Sequence, residues 1–215
     1  LLPCSRNASP GQACFETWLG TTARRAFRRS LDADERAALQ AVFDRALVEG
    51  ADFTDAIAIS TSALMQSPQF LYVVEDAAGS GRALTSVELA SRLSFLFWDS
   101  VPDDELLALA DTGALTTPSV LTAQARRLLE SPRADPALAR YFREWTQARE
   151  LLSTDKDSTT FPSFDSAYTR SLSESFDRFV VSQVRSGGTL ESLFTSTEAY
   201  VDEHLAASYG VPAPA

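Results

Sequence analysis

Hydrophobic residues recur along most of this chain with the spacing of an α-helix. The clearest stretch covers residues 84–115 and begins with Thr85 and Glu88, which have the S/T-x-x-E spacing of a capping box. Apolar residues then follow at i, i+4, i+7 and i+8, the period of one helical face. They are Leu89, Leu93, Leu96 and Phe97. The pattern predicts a capped helix with one buried face.

The end of this predicted helix is almost free of polar residues, so we expect Phe95 and Trp98 to lie in the protein core. Pro102 suits the first turn of a second helix. The acidic residues 103–105 place negative charge at the positive end of that helix, and Gly113 ends it. The pair has the pattern of packed helices and contains no catalytic motif.

The rest of the chain follows the same helical pattern. Further helices are predicted at about 12–29, 32–48, 53–66, 117–130, 136–152, 165–185 and 201–209. One stretch, residues 69–74, has strand propensity but no partner strand, so it is interpreted as extended or as one buried helical turn. We therefore predict an all-α fold, an irregular bundle of roughly eight to ten helices with little or no sheet.

Residues 76–82 form the best linker in the chain, because they combine glycine, alanine and serine. They divide the sequence into an N-terminal helical module, residues 1–76, and a second helical module, residues 82–212, which we expect to pack together. The chain starts with Leu1-Leu2-Pro3 and ends in the linker-like residues 209–215. We therefore expect a fragment or a processed piece of a larger protein.

Charge and hydropathy restrict the class of partner. The net charge of −10 argues against nucleic-acid binding, which usually needs a basic face, and against a basic anchor on anionic lipid. No apolar run approaches the ~18 residues that a membrane-spanning helix requires. We therefore predict no nucleic-acid partner and no membrane span. The expected partners are other domains of the same parent protein or a separate protein.

Cys4 and Cys14 are the only two cysteines. Their spacing fits neither a C-x-x-C redox site nor the C-x-x-C-H motif of c-type haem attachment. With a single histidine far along the chain, a zinc site is short of ligands. The two thiols either form a disulfide or are inert. The short polar loop between them favours the disulfide, which would be typical of an exported protein.

His204 is the only histidine, so any mechanism that needs a histidine base or ligand depends on it. It lies beside Asp202 and Glu203 and is interpreted as a surface residue. A Ser-His-Asp triad with His204 would lack the G-x-S-x-G elbow. Met65 and His204 could in principle ligate a haem iron, but Met65 lies on an apolar helical face and is predicted to be part of the core.

Acidic residues give two further candidate metal sites. Asp155, Asp157 and Thr159 alternate as in the first half of a calcium loop, but Thr160 stands where that loop needs glycine, and no glutamate closes it. The acidic residues 99–105 are explained by helix capping. No glycine-rich phosphate loop is present. The sequence therefore predicts no catalytic, cofactor-binding or metal-binding residue.

One dense basic cluster stands out in the chain. It consists of Arg24, Arg25, Arg28 and Arg29. The cluster is either an anion or partner site, or a set of ion pairs with the acidic residues that follow it. Those residues are Asp32, Asp34 and Glu35. We favour ion pairs, because the acidic residues follow the basic ones directly.

Several stretches resemble a family of large exported multidomain proteins from planctomycetes and myxobacteria. The similar residues are 23–31 (ARRAFRRSL), 67–72 (SPQFLY), 88–107 (ELASRLSFLFWDSVPDDELL), 161–164 (FPSF) and 201–210 (VDEHLAASYG). Domains of this family are of unknown function and, in planctomycetes, are often fused to cytochrome-c-like domains. The resemblance implies an extracytoplasmic location and no particular activity. The family's haem-attachment motif is absent, so the cytochrome association applies to no residue of this chain.

Two function classes follow. The first is a helical structural or interaction module of a larger extracytoplasmic protein, with no chemistry of its own and no cofactor. The second is a fragment of an exported redox (cytochrome-associated) or hydrolytic enzyme whose active groups lie in other domains. The single histidine and the lack of a catalytic constellation favour the first class.

Overall fold

The computed structural model describes residues 11–73, 75 and 81–214. These residues contain twelve α-helices, nine of them with seven or more residues, and no strand. The predicted all-α class is confirmed. By its packing the chain divides into two compact units between Leu129 and Glu130, and each is described by itself. The predicted division at residues 76–82 stays a prediction.

The described part of the first unit begins with an almost continuous helix that contains a π-helical turn. The first elements of this unit are α1 (Gln12–Trp18), the π turn (Leu19–Ala23), α2 (Arg24–Phe27), α3 (Ala33–Val48), α4 (Phe53–Gln66) and α5 (Pro68–Leu71). The hydroxyls of Thr17 and Thr21 donate to the carbonyls of Ala13 and Thr17. Such bonds compete with the backbone ladder and loosen a helix locally.

Helices α1 to α4 enclose the first hydrophobic core. Phe15 lies at its centre, with its ring 4.2 Å from that of Phe43 and 5.5 Å from that of Trp18. Phe53 closes the stack edge-on against Phe43. Phe15 and Trp18 have no exposed surface. Helix α3 begins with a capping box in which the Asp32 and Glu35 side chains each accept a backbone N–H of the other residue.

The stretch with strand propensity, residues 69–74, begins in the short helix α5, which is a single exposed helical turn. Serine-rich α4 precedes it and buries Ala56, Ile57, Ser60 and Leu64. This buried face lies on the other side of the helix from Met65, which is 51% exposed. The prediction that Met65 belongs to the core is therefore wrong.

The second core of the first unit lies between three helices and a 3-10 turn. They are α6 (Ser86–Trp98), α7 (Asp104–Asp111), the turn Ala114–Thr116 and α8 (Pro118–Glu130). The predicted capping box of Thr85 and Glu88 starts α6. The carboxylate of Asp103 caps α7 by accepting from the Leu106 N–H at 3.0 Å. Leu106, Leu115 and Leu128 are fully buried in this core.

The buried face of α6 differs from the predicted one. It is formed by Ser86, Ala90, Ser91, Leu93 and Ser94. Leu96 is 64% exposed, while Phe95 and Trp98 are half-buried, so the prediction that both lie in the core is only partly correct. Small residues let α6 approach its neighbours closely, and the Ser86 hydroxyl donates to the carbonyl of Leu109. Periodicity could not identify this face, because serine scores as polar.

The second unit is organised around its longest helix. Its helices are α9 (Asp135–Thr146), α10 (Ser166–Arg185), α11 (Ser192–Thr195) and α12 (Glu203–Tyr209), with 3-10 turns at Pro132–Ala134 and Ala148–Ser153. Helix α10 packs against α9, α12 and the second 3-10 turn. Helix α9 ends earlier than predicted, because Gln147 adopts a left-handed conformation with φ 60°. Val180 and Leu205 are buried here.

Candidate functional site

The arginine cluster of the first unit is bound by acidic residues far along the chain. Arg24 lies 2.6 Å from Asp111, and Arg25 binds Asp104 with two hydrogen bonds of 3.1 and 2.6 Å. The Ser30 hydroxyl also donates to Asp111. These contacts place one arginine at each end of α7. They join the helices of the first core to those of the second.

Arg29 is the member of the cluster that pairs with a nearby acid. Both of its terminal nitrogens donate to Glu35, at 2.7 and 2.6 Å, and Glu35 also serves the capping box of α3. The predicted ion pairing with the acidic residues that directly follow the cluster is therefore found for Arg29 alone. For Arg24 and Arg25 the predicted partners are wrong, because these residues pair with Asp111 and Asp104.

Arg28 differs from the rest of the cluster, because it is 7% exposed and contacts no carboxylate in the part of the chain that the structure describes. It adopts a left-handed conformation with φ 59°. One terminal nitrogen donates to the carbonyls of Gln69 and Tyr72, at 2.6 and 2.8 Å. Arg28 therefore donates hydrogen bonds to carbonyl groups at the C-terminal end of α5, which lack partners within the helix. Burial lowers the pKa of Arg28, and the charge of Arg29 lowers it further.

A cavity of about 120 Å³ lies beside Arg28. It is lined by Phe27, Arg28, Arg29, Gln69, Tyr72, Val73, Val87, Glu88 and Ser91. Glu88 is its acidic wall residue and accepts two hydrogen bonds from Arg82, at 3.1 and 2.9 Å. Those bonds, with a third from the Thr85 N–H, hold the pKa of Glu88 at about 2. Glu88 is thus a fixed negative charge at neutral pH.

Acidification should destabilise the first unit through Glu88. A carboxylate whose pKa is lowered on folding stabilises the folded state above its unfolded pKa, and this contribution is lost as the pH falls towards the folded pKa. The window for Glu88 runs from pH 4.5 down to about 2. We expect the urea midpoint of Glu88→Gln, followed by circular dichroism, to fall less across this window than that of the wild type.

Glu49→Gln is the control, because Glu49 forms only an exposed pair with Arg45 at the end of α3. Its urea midpoint should follow the wild-type pH dependence. If wild type and Glu88→Gln lost stability equally over the same window, the proposed contribution of Glu88 would be wrong.

The second unit carries an exposed aromatic cluster. Tyr141, Phe142, Trp145 and Phe194 form a chain of edge-to-face ring contacts with centroids 5.3 to 6.1 Å apart. Tyr141 is 63% exposed, Trp145 48% and Phe194 70%. A groove of about 390 Å³ runs beside them. It is lined by Tyr141, Phe142, Trp145, Gln183, Val184, Gly188, Thr189, Leu190 and Leu193. No sequence motif marks these residues as a binding site.

Glycine is required at one point of this groove. A Cβ atom on Gly188 would lie 2.7 Å from the Gln183 carbonyl oxygen and 2.8 Å from the Ser192 hydroxyl. The Ser192 hydroxyl donates to the Gln183 side chain at 2.8 Å. The loop after α10 can therefore approach the Gln183 carbonyl this closely only because Gly188 has no side chain. This close approach fixes one wall of the groove.

His204 is half-exposed at the start of α12, and its imidazole lies 3.7 Å from Glu203. Asp202 accepts hydrogen bonds from the backbone N–H groups of His204 and Leu205 and from the hydroxyl of Ser171. The serine therefore donates to the aspartate, whereas a triad requires a serine–histidine contact. The interpretation of His204 as a surface residue is confirmed.

The candidate calcium loop around Asp157 serves local structure. Asp157 accepts from the backbone N–H groups of Thr159 and Thr160, so its carboxylate closes its own turn. Lys156 lies over the rings of Phe161 and Phe164, 4.9 and 4.6 Å from their centroids. Within the described ranges, no group of three or more metal-binding side chains comes together. The same ranges contain no helix with the length and hydropathy of a membrane span.

Cys14 lies in the first turn of α1 and is buried. Cys4 lies outside the described residues, so the disulfide stays a prediction. Never-reduced protein should take up no alkylating reagent, and two labels should appear by mass spectrometry after reduction, one for each cysteine. Alkylation of both cysteines in never-reduced protein would disprove the bridge.

Two family models match this chain. Residues 84–211 match PSD4, described as a protein of unknown function (DUF1592), and residues 14–75 match PSD5, described as a protein of unknown function (DUF1595). No curated protein and no solved structure matches. The resemblance to domains of unknown function is confirmed. The planctomycete or myxobacterial origin and the cytochrome association stay predictions.

Proposed function

We propose, for a chain that belongs to the PSD4 family of proteins of unknown function (DUF1592), a role as a helical structural and interaction module of a larger protein. The module acts through its surface and supplies no chemistry of its own. Its location is extracytoplasmic. The location rests on the resemblance to exported proteins and on the predicted disulfide between Cys4 and Cys14.

The aromatic groove of the second unit carries the proposal. Large exposed apolar patches on soluble proteins are often interaction sites, and tyrosine and tryptophan are enriched among the residues that dominate binding energy. Tyr141, Trp145 and Phe194 present their rings at one surface. The rings contact one another, so little side-chain freedom remains to be lost when a partner binds.

Charge beside the groove indicates the kind of partner. Glu191 follows Leu190 of the groove wall, and Glu198 accepts from Gln183, another wall residue, at 3.4 Å. Neither glutamate has an ion-pair partner among the described residues. The chain as a whole carries a net charge of −10. The groove therefore suits a protein segment with an aromatic or aliphatic anchor next to lysine or arginine.

Selection of random peptides displayed on phage tests this proposal. We expect enrichment of peptides with one large apolar residue beside basic residues. A synthetic consensus peptide should bind Leu190→Ser at least about tenfold more weakly than wild type, because Leu190 is an exposed apolar residue of the groove wall. Leu152→Ser is the matched control, because Leu152 is similarly exposed in the same unit and lies outside the groove. It should bind as the wild type does.

Other outcomes would overturn the proposal. Enrichment of acidic peptides, or binding that Leu190→Ser leaves unchanged, would exclude this groove as the site. Self-association that Leu190→Ser abolishes in sedimentation velocity would identify a second copy as the occupant. Substrate turnover or a haem absorption band from the isolated chain would instead favour the exported enzyme.

A further inference from the structure

Among the described residues, the buried positive charge of Arg28 is balanced by carbonyl dipoles alone. Its two terminal nitrogens donate to the carbonyls of Ala26, Gln69, Phe70 and Tyr72. These bonds use four of the five N–H donors of a guanidinium. The remaining donor, the Nε–H group, has no partner in the described part of the chain. Buried charges are normally paired with an opposite charge, because desolvation is costly.

The cavity beside Arg28 contains a second donor without a partner. Ser91 is 5% exposed, lines the cavity, and its hydroxyl makes no hydrogen bond to any described residue. Arg29 also lines the cavity and uses its terminal nitrogens on Glu35. Buried hydroxyls usually have hydrogen-bond partners. Ser91 therefore marks a point where a ligand or ordered solvent completes the structure.

The charges around the cavity favour an anion of single charge. Glu88 is held by Arg82, and Glu35 is held by Arg29, so these pairs contribute no net charge. Among the described residues, the positive charge of Arg28 remains without a carboxylate. The cavity of about 120 Å³ has room for several water molecules, and therefore for a small ion.

We propose that this cavity binds a small monovalent anion such as chloride or formate. The Nε–H group of Arg28 and the hydroxyl of Ser91 donate to it. The walls come from both family matches, since Arg28 and Tyr72 belong to residues 14–75 and Ser91 belongs to residues 84–211. The bound anion therefore joins α2 and α5 of the first core to α6 of the second. This proposal is independent of the aromatic groove.

Chloride NMR on the whole chain tests the site. Bound chloride exchanges with free chloride and broadens the ³⁵Cl line, so we expect the wild type to broaden it and added formate to narrow it again. Ser91→Ala should weaken binding by about tenfold or more, the loss expected for one hydrogen bond to an ion. Ser94→Ala is the matched control. Ser94 is also buried on α6 but donates to the Ser91 carbonyl and lies outside the cavity.

Arg28→Met should abolish the broadening that formate reverses. If that variant fails to fold, the comparison of Ser91→Ala with Ser94→Ala decides the question alone. An absence of broadening in the wild type would overturn the proposal. Equal broadening by wild type and Ser91→Ala would do the same, because it would place the chloride elsewhere on the protein.

Discussion

Replacing Phe15 with alanine is expected to lower the free energy of unfolding of the first unit by about 3–5 kcal/mol, the range for truncating a fully buried phenylalanine. The ring has no exposed surface and is stacked between Phe43 and Trp18. We expect the rings of Phe43 and Trp18 to stay apart when Phe15 is removed, because they are held by two different helices, α3 and α1. The cavity left behind therefore cannot close easily.

Urea unfolding followed by tryptophan fluorescence measures this loss, since Trp18 contacts Phe15 directly. Val48→Ala provides the control, because Val48 is 86% exposed at the end of α3. Its change should stay within about 0.5 kcal/mol, as for most surface substitutions. A loss below about 1 kcal/mol for Phe15→Ala would contradict the packing described for this core.

The second large effect is expected at Trp98. Trp98→Ala should lower the free energy of unfolding by about 2–3 kcal/mol, below the range of about 3–5 kcal/mol for a fully buried aromatic residue, because the ring is only half-buried. Its indole N–H donates to the Leu128 carbonyl at 3.0 Å, and the Arg127 guanidinium lies 5.7 Å from the ring centroid. Trp98→Phe keeps part of the packing and removes the N–H, so it should cost about 1 kcal/mol.

Circular dichroism is the appropriate measurement, because these variants remove a tryptophan. Leu96→Ala is a matched control on the same helix, two residues before Trp98 and 64% exposed. It should cost less than about 1 kcal/mol, since little buried area is lost. If Leu96→Ala proved more damaging than Trp98→Ala, the buried face of α6 would have to be reassigned to the one that periodicity predicted.

The positions of the helices could be predicted because their signals are local. The helices α3, α4, α8 and α10 begin and end within a residue of their predicted positions. Each start follows a capping residue or a proline, and these act within one turn. Thr85 caps the helix that it was predicted to cap, and Asp32 and Asp165 cap the helices whose predicted ranges begin with them. These local signals, together with the helical periodicity, were sufficient to predict the fold class.

The candidate sites depend on contacts that no local signal encodes. Arg24 and Arg25 bind acids that lie 87 and 79 residues along the chain. Periodicity also selects the most hydrophobic face of a helix, whereas α6 buries Ser86 and Ser94, whose hydroxyls donate to specific backbone carbonyls. The aromatic groove is assembled from α9, the end of α10 and the loop after it, so its residues are adjacent only after folding.

The π turn at Leu19–Ala23 has a consequence for how the chain can change in length. Hydrogen bonds from i to i+5 accommodate one residue more than an α-helical turn, and each helical residue advances the direction by about 100°. A one-residue deletion here would close the π turn into an ordinary α-helical turn, so α2 and its arginines would keep their direction relative to Phe15 and Trp18 and still face Asp104 and Asp111. A further one-residue insertion would instead rotate α2 by about 100° away from those acids. The chain should therefore tolerate the loss of one residue at this turn better than the gain of one.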